Sequence, residues 1–246
     1  MNAIDLNCDL GEGAGQDALL MPLITSANIA CGAHAGDAAT MRATVALARE
    51  HGVAVGAHPG FADRENFGRR ELAIAPAELR ASVRSQIETL RALAPLCHVK
   101  PHGALYNLAA RDRTVAELIA EVVREIDPTL ILFGLAGSEL IRAGLARGLR
   151  VANEVFADRT YQRDGALTPR SQPDALIHDE AAAAAQVRRM VREGRVRATD
   201  GTDLAISADT ICLHGDGPQA VAFARKLRAQ LRQAGIEVRA VEGRSG

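Results

Sequence analysis

The sequence predicts an α/β protein built as a single-domain (β/α) barrel, and three observations lead there. Short apolar or β-branched runs alternate with amphipathic helical patterns seven or eight times along 246 residues. Such alternation builds a parallel sheet covered by helices. At 48% hydrophobic residues the chain can bury a sizeable core, and one barrel domain can take all of residues 1–246. No repeat, linker or low-complexity stretch breaks the pattern. The alternative, a doubly wound open sheet, lacks its usual signature, because no GxGxxG follows the first strand and no GxxxxGK[ST] occurs.

Strand candidates fall at residues 3–7, 28–31, 53–57, 98–100, 130–135, 151–156, 210–213 and 237–241. Between them lie helices. Val115, Leu118, Ile119, Val122, Val123 and Ile126 trace one helical face, with Asp112 as N-cap and Pro128 just past the end. Leu79, Val83, Ile87 and Leu90 trace a second, opened by Pro76, and Val221, Ala224, Leu227 and Leu231 a third, with Pro218 near its start and Gly235 at its end. Further helices are expected near 38–50, 137–147 and 179–193, the first of them capped by Asp37.

Composition narrows the function. Basic and acidic residues number 29 and 30, a net charge of −1, which leaves no electrostatic footprint for nucleic acid or an anionic membrane. Apolar runs stop at about five to seven residues, well short of a membrane span. Residues 1–5 have no basic or long apolar signal-peptide region. The four cysteines form no CxxC pair, so a reduced, cytoplasmic setting is expected. Cys8 and Cys31 read as small buried fillers rather than thiol nucleophiles.

The chemically capable residues cluster directly after strand candidates: Asp9 and Glu12, His34, His58, Lys100 and His102, Glu154 with Asp158 and Arg159, and His214 with Asp216. In α/β barrels the loops at the carboxyl ends of the strands build the site, so these groups are expected to converge on one mouth. A lone Asp there is usually a cap and a lone His usually structural. Four of the seven histidines, however, share one context of strand end, small residues and adjacent Gly or Pro, whereas His51, His98 and His178 look ordinary. Of 29 basic residues only Lys100 and Lys226 are lysines, so Lys100 at a strand end suggests a need for a compact charge that Arg does not supply. Gly11, Gly13, Gly60 and Gly215 are candidates to offer backbone amides to a phosphate, with Asp216 beside the last.

Long blocks of the chain resemble the LamB/YcsF family: DLNCDLGEG at 5–13, SANIACGAHAGD at 26–37, VGAHPGFADRENFGRR at 55–70, VKPHGALYN at 99–107, EVFADRTYQRDGALTPR at 154–170 and ICLHGDGP at 211–218. Ala33 and Ala38 depart from the family pattern, which usually has an aromatic residue and a proline there. The resemblance implies an irregular, seven-stranded barrel similar to the glycoside hydrolase/deacetylase barrels. It also implies the role of the A subunit in a prokaryotic 5-oxoprolinase, which opens 5-oxoproline to glutamate at the expense of ATP, giving ADP and phosphate, together with subunits B and C. Mg2+ is expected as the nucleotide's counter-ion, and no tightly bound cofactor. On that basis Asp9 or Glu154 would serve as base, His58 or His102 as acid/base and Lys100 as charge stabiliser. Arg159 would face anions, and Glu12, Asp158 and His214 would orient neighbours. Two alternatives stay open: a metal-dependent deacetylase or amidohydrolase using Asp9, His34 and His58, and a non-catalytic subunit that presents substrate.

Overall fold

A computed structural model describes residues 3–213 and 220–241. In chain order its elements are β1 (Ala3–Leu10), α1 (Asp17–Leu20), β2 (Ser26–Ala30), α2 (Ala38–His51), β3 (Ala54–His58), α3 (Pro76–Arg91), β4 (His98–Val99), α4 (Gly103–Arg111), α5 (Arg113–Ile126) and β5 (Ile131–Leu135). There follow α6 (Glu139–Ala146), β6 (Arg150–Phe156), α7 (Glu180–Glu193), β7 (Arg195–Arg197), β8 (Asp203–Ala205), β9 (Thr210–Leu213), α8 (Ala220–Gln233) and β10 (Glu237–Val238). Seven parallel strands run in the order β1-β2-β3-β4-β5-β6-β9, and β9 returns onto β1 to close the ring.

The eighth strand candidate is not part of that ring. β10 pairs only with Ala3 and Ile4 at the start of β1, ahead of the Asp5–Thr210 register at which β9 joins. It covers a short stretch of strand edge and leaves the closure seven-stranded.

The first strand shows how the sequence builds the barrel wall. In AIDLNCDL, Ile4, Leu6, Cys8 and Leu10 alternate with Asp5, Asn7 and Asp9, and a period of two sends the two sets to opposite faces. The apolar set packs into the core that α2, α3, α5, α6 and α8 complete. The polar set fills the ring. Asp5 accepts hydroxyl bonds from Thr25 (2.6 Å), Ser26 (2.8 Å) and Thr210, and Asn7 donates to Glu154 (2.9 Å) and Thr210 (2.7 Å). Asn28 donates to Asn7 (2.7 Å) and Asp9 (2.8 Å), while its own oxygen meets the His98 ring at 2.7 Å. His98 is therefore no ordinary strand residue: it is buried, and it stacks on Phe133 with centroids 4.2 Å apart. Gly56 makes room for it, since a Cβ there would lie 2.1 Å from the imidazole.

Helix starts follow the expected chemistry. Asp112 caps α5 by accepting from the Val115 amide, Asp37 caps α2 through Thr40, and Pro76 opens α3. Two features go beyond the local pattern: helix α4 directly after the Lys100–His102 segment, and the antiparallel β7–β8 hairpin inside the long excursion between β6 and β9. Among the described residues no helix is long and apolar enough to cross a membrane.

Candidate active site

The carboxyl ends of the strands open into a cavity of about 820 Å³. Asp9, Glu12, His58, Lys100, His102 and Arg159 line it, together with Tyr106, Leu135 and Phe156. Glu154 does not reach its surface. It is fully buried beneath Lys100, with its carboxylate 2.9 Å from the ammonium. Asp158 also stays out of the lining, and His214, Gly215 and Asp216 lie outside the described residues.

Lys100 is the centre of the arrangement. Its ammonium is 2.8 Å from Asp9, 2.9 Å from Glu154, 3.3 Å from the Asn7 oxygen and 3.2 Å from the Cys212 sulfur. Burial works against this charge, but Asp9, Cys212 and Glu154 outweigh it and hold the group well above the ordinary lysine range. Burial would also raise Asp9, yet His58 and Lys100 prevail and keep its carboxyl well below the usual range. An ion pair of fixed polarity thus faces the cavity.

The second half of the site is a knot of imidazoles. His34 and His102 lie flat against each other at 3.7 Å between centroids, and His58 stands edge-on to both. Glu12 approaches His34 Nε2 at 3.0 Å, His102 Nδ1 at 3.3 Å and His58 Nε2 at 3.9 Å. Burial, followed by the neighbouring His58, pushes His34 down to about 3 and His102 to about 2, so both are neutral near pH 7. Of the expected metal trio of Asp9, His34 and His58, Asp9 lies 3.3 Å from His58 Nε2, while His34 joins a closer-set group among the described residues. Asp9 is tied to Lys100 and Asn28, and the close-set group is Glu12, His34, His58 and His102, whose ligand atoms all lie within 4.8 Å of one another.

The segment after β3 folds over this knot. Phe67 adopts a left-handed φ of 54°, uncommon for a side chain of its size, and presents its carbonyl to His102 Nε2 at 2.9 Å. Gly68 follows with φ 61°, and a Cβ there would sit 2.8 Å from that of His34. Only glycine meets both demands.

Several expected roles shift. The Gly11 amide is given to Asp17 at 2.9 Å, and Gln86 satisfies both the amide and the carbonyl of Gly60 at 2.9 Å each. Neither amide is left for a phosphate, whereas Gly13 is exposed. Arg159 spends two donors on the carbonyls of Ala175 (3.2 Å) and Thr168 (2.6 Å), anchoring the excursion after β6 as well as lining the cavity. Tyr106 escapes a search of strand ends because it sits within α4. Its hydroxyl is buried, and burial, followed by the neighbouring Glu154 carboxylate, holds the phenol well above its ordinary pKa. Cys8, Cys31 and Cys212 are buried, and burial raises all three thiols, which fits the filler reading of the first two.

Comparison with known proteins places the chain. The model of the LamB/YcsF family matches residues 4–246. The A subunit of 5-oxoprolinase from Bacillus subtilis (strain 168) is 56% identical over 251 residues, covering 98% of each chain. That of Neisseria meningitidis serogroup B is 53% identical over 245 residues, covering 98% of this chain and all of the relative. A crystal structure of the Lactam Utilization Protein from Thermus thermophilus superposes with a TM-score of 0.90 at 49% identity, over 97% of this chain and 99% of that one. A family 4 carbohydrate esterase from Streptomyces lividans, solved in complex with acetate, shares only the fold, with a TM-score of 0.50 at 11% identity over 96% of this chain and 91% of its own. A family model that spans nearly every residue and full-length relatives at more than half identity lead to one conclusion: the chain belongs to the LamB/YcsF family.

Proposed function

We propose that the chain is the A subunit of an ATP-dependent 5-oxoprolinase, which opens the lactam of 5-oxoproline to glutamate in a complex with subunits B and C. One observation carries this above the rest: relatives that bear the name of the 5-oxoprolinase A subunit match 98% of the chain at 53–57% identity. The cavity adds chemical support. An unstrained lactam is a poor electrophile because amide resonance protects its carbonyl. Transfer of a phosphoryl group from ATP to the amide oxygen leaves a carbon that water can attack. The ring nitrogen then departs with a proton and leaves an acyl phosphate, which a second water hydrolyses to the carboxylate of glutamate and free phosphate.

The residues divide this work by position. Asp9, ionised and exposed to the cavity, takes the proton from water. Lys100 places a compact positive charge where negative charge grows on oxygen. Glu154 stays beneath it as a counter-ion and is not the base. Arg69, Arg111, Arg142 and Arg170 at the cavity wall suit the phosphates of ATP with its Mg2+. A five-membered lactam would fill only part of 820 Å³, so a phosphate-bearing co-substrate has room beside it.

The test is substitution in the reconstituted complex. Asp9→Asn is expected to lower glutamate release by about 10²–10⁴-fold. Lys100→Arg, which keeps the charge, is expected to cost at least about 100-fold because a planar guanidinium does not fit a point-charge site. Both variants should still assemble with their partners. Activity within about twofold of wild type in both would make the chain a non-catalytic subunit.

A further inference from the structure

The imidazole knot contains a contradiction that a neutral, ligand-free protein does not resolve. His58 Nδ1 lies 2.8 Å from the carbonyl of Lys100, and His102 Nε2 lies 2.9 Å from the carbonyl of Phe67. A carbonyl only accepts, so each of these nitrogens carries the proton. In neutral rings the opposite nitrogens, His58 Nε2 and His102 Nδ1, are then bare, and they face each other at 3.0 Å. Asp9 at 3.3 Å and Glu12 at 3.9 Å add two further acceptors around the same His58 nitrogen. With neutral rings, four electron-rich atoms converge, and among the described residues either a bound cation or one extra proton has to sit between them.

We propose that Glu12, His34, His58 and His102 form a binding site for one divalent metal ion of borderline character, of the Zn2+ class. Three imidazoles and one carboxylate make a donor set for such an ion. Two ligands at about 2.0–2.1 Å from a shared ion, at angles of about 90–110°, lie about 2.9–3.4 Å apart. The His58–His102 contact of 3.0 Å, the Glu12–His34 contact of 3.0 Å and the Glu12–His102 contact of 3.3 Å fall in that range, and the Glu12–His58 separation of 3.9 Å would shorten on binding. The two backbone carbonyls do what outer partners of ligating histidines do elsewhere, fixing the tautomer that aims a lone pair inward. Among the described residues the Nδ1 of His34 has no hydrogen-bond partner, so a proton can sit there and Nε2 can ligate. The left-handed Phe67 belongs to the same device, since that backbone conformation delivers the carbonyl to His102. Such an ion would sit beside Asp9, whose carboxylate lies 3.3 Å from His58 Nε2, at the cavity that Glu12, His58 and His102 line.

The site stands apart from the lactam reading, so its test uses no substrate. The full chain is stripped with a chelator and titrated with Co2+, with visible absorption read for ligand-field bands and Zn2+ then added as competitor. About one equivalent of Co2+ should bind with such bands, and Zn2+ should bleach them. Glu12→Gln, which is isosteric, and His102→Gln should each weaken Co2+ binding by at least about tenfold, while His51→Gln on the exposed end of α2 should not. Circular dichroism confirms folding, and Glu12→Gln decides the matter alone if His102→Gln unfolds. Failure of the wild-type chain to bind Co2+ stoichiometrically, or unchanged affinity in Glu12→Gln, would overturn the proposal and leave the facing nitrogens sharing a proton.

Discussion

Asp5 and Lys100 sit in the same barrel interior and meet opposite fates. Lys100 has carboxylates at 2.8 and 2.9 Å and keeps its charge, whereas Asp5 has only hydroxyl partners and a distant like charge in Glu154. Burial therefore dominates and raises the Asp5 pKa from 3.8 to about 6, against the lowering effect of Thr210, Thr25 and Ser26. The direction fixes a pH dependence. A carboxyl whose folded-state pKa is raised binds its proton more tightly in the folded chain. Its stabilising contribution is fully present below the unfolded value near 4 and is lost as pH rises through about 6. The shift corresponds to roughly 3 kcal/mol. Urea denaturation from pH 4 to 7 should show the stability of wild type falling relative to Asp5→Asn, and a constant difference between the two would show that Asp5 titrates normally.

At the scale of elements, strand ends are legible in the chain and what lies over them is not. Each β-to-α turn is marked with Gly, Pro, His or Asp, so β1 to β4 and their attached site residues can be placed from local pattern. The alternation of Asp5, Asn7 and Asp9 in β1 also announces a polar lumen, but an apolar-run criterion passes over it. Helix α4 starts at Gly103 with no side-chain cap, a start that looks like a loop, and Tyr106 is hidden with it. The His34–His102 stack joins two loops far apart in the chain and depends on the turn at Phe67 and Gly68, which no local signal specifies. Gln86 of α3 holds this region by bonding both the amide and the carbonyl of Gly60. Gln86→Leu leaves two buried backbone groups unsatisfied and should cost about 1–3 kcal/mol each, with faster amide exchange over residues 59–69. Unchanged protection in that segment would mean that the loop is held by other contacts.

The whole molecule joins a conventional barrel wall to an unusually charged interior. Seven parallel strands deliver Asp9, His58, Lys100 and His102 to one rim, and the excursion after β6 closes one side of the cavity with Arg159 and Arg170. The sequence carries neither a P-loop nor a dinucleotide fingerprint, and under the proposed function ATP-coupled ring opening would draw on partner subunits. Glutamate release from 5-oxoproline is the direct measure, taken with the purified chain alone and with both partner subunits, each with and without ATP. Glutamate is expected only from the complete set with ATP, and robust ATP-independent ring opening by the chain alone would contradict the proposed function.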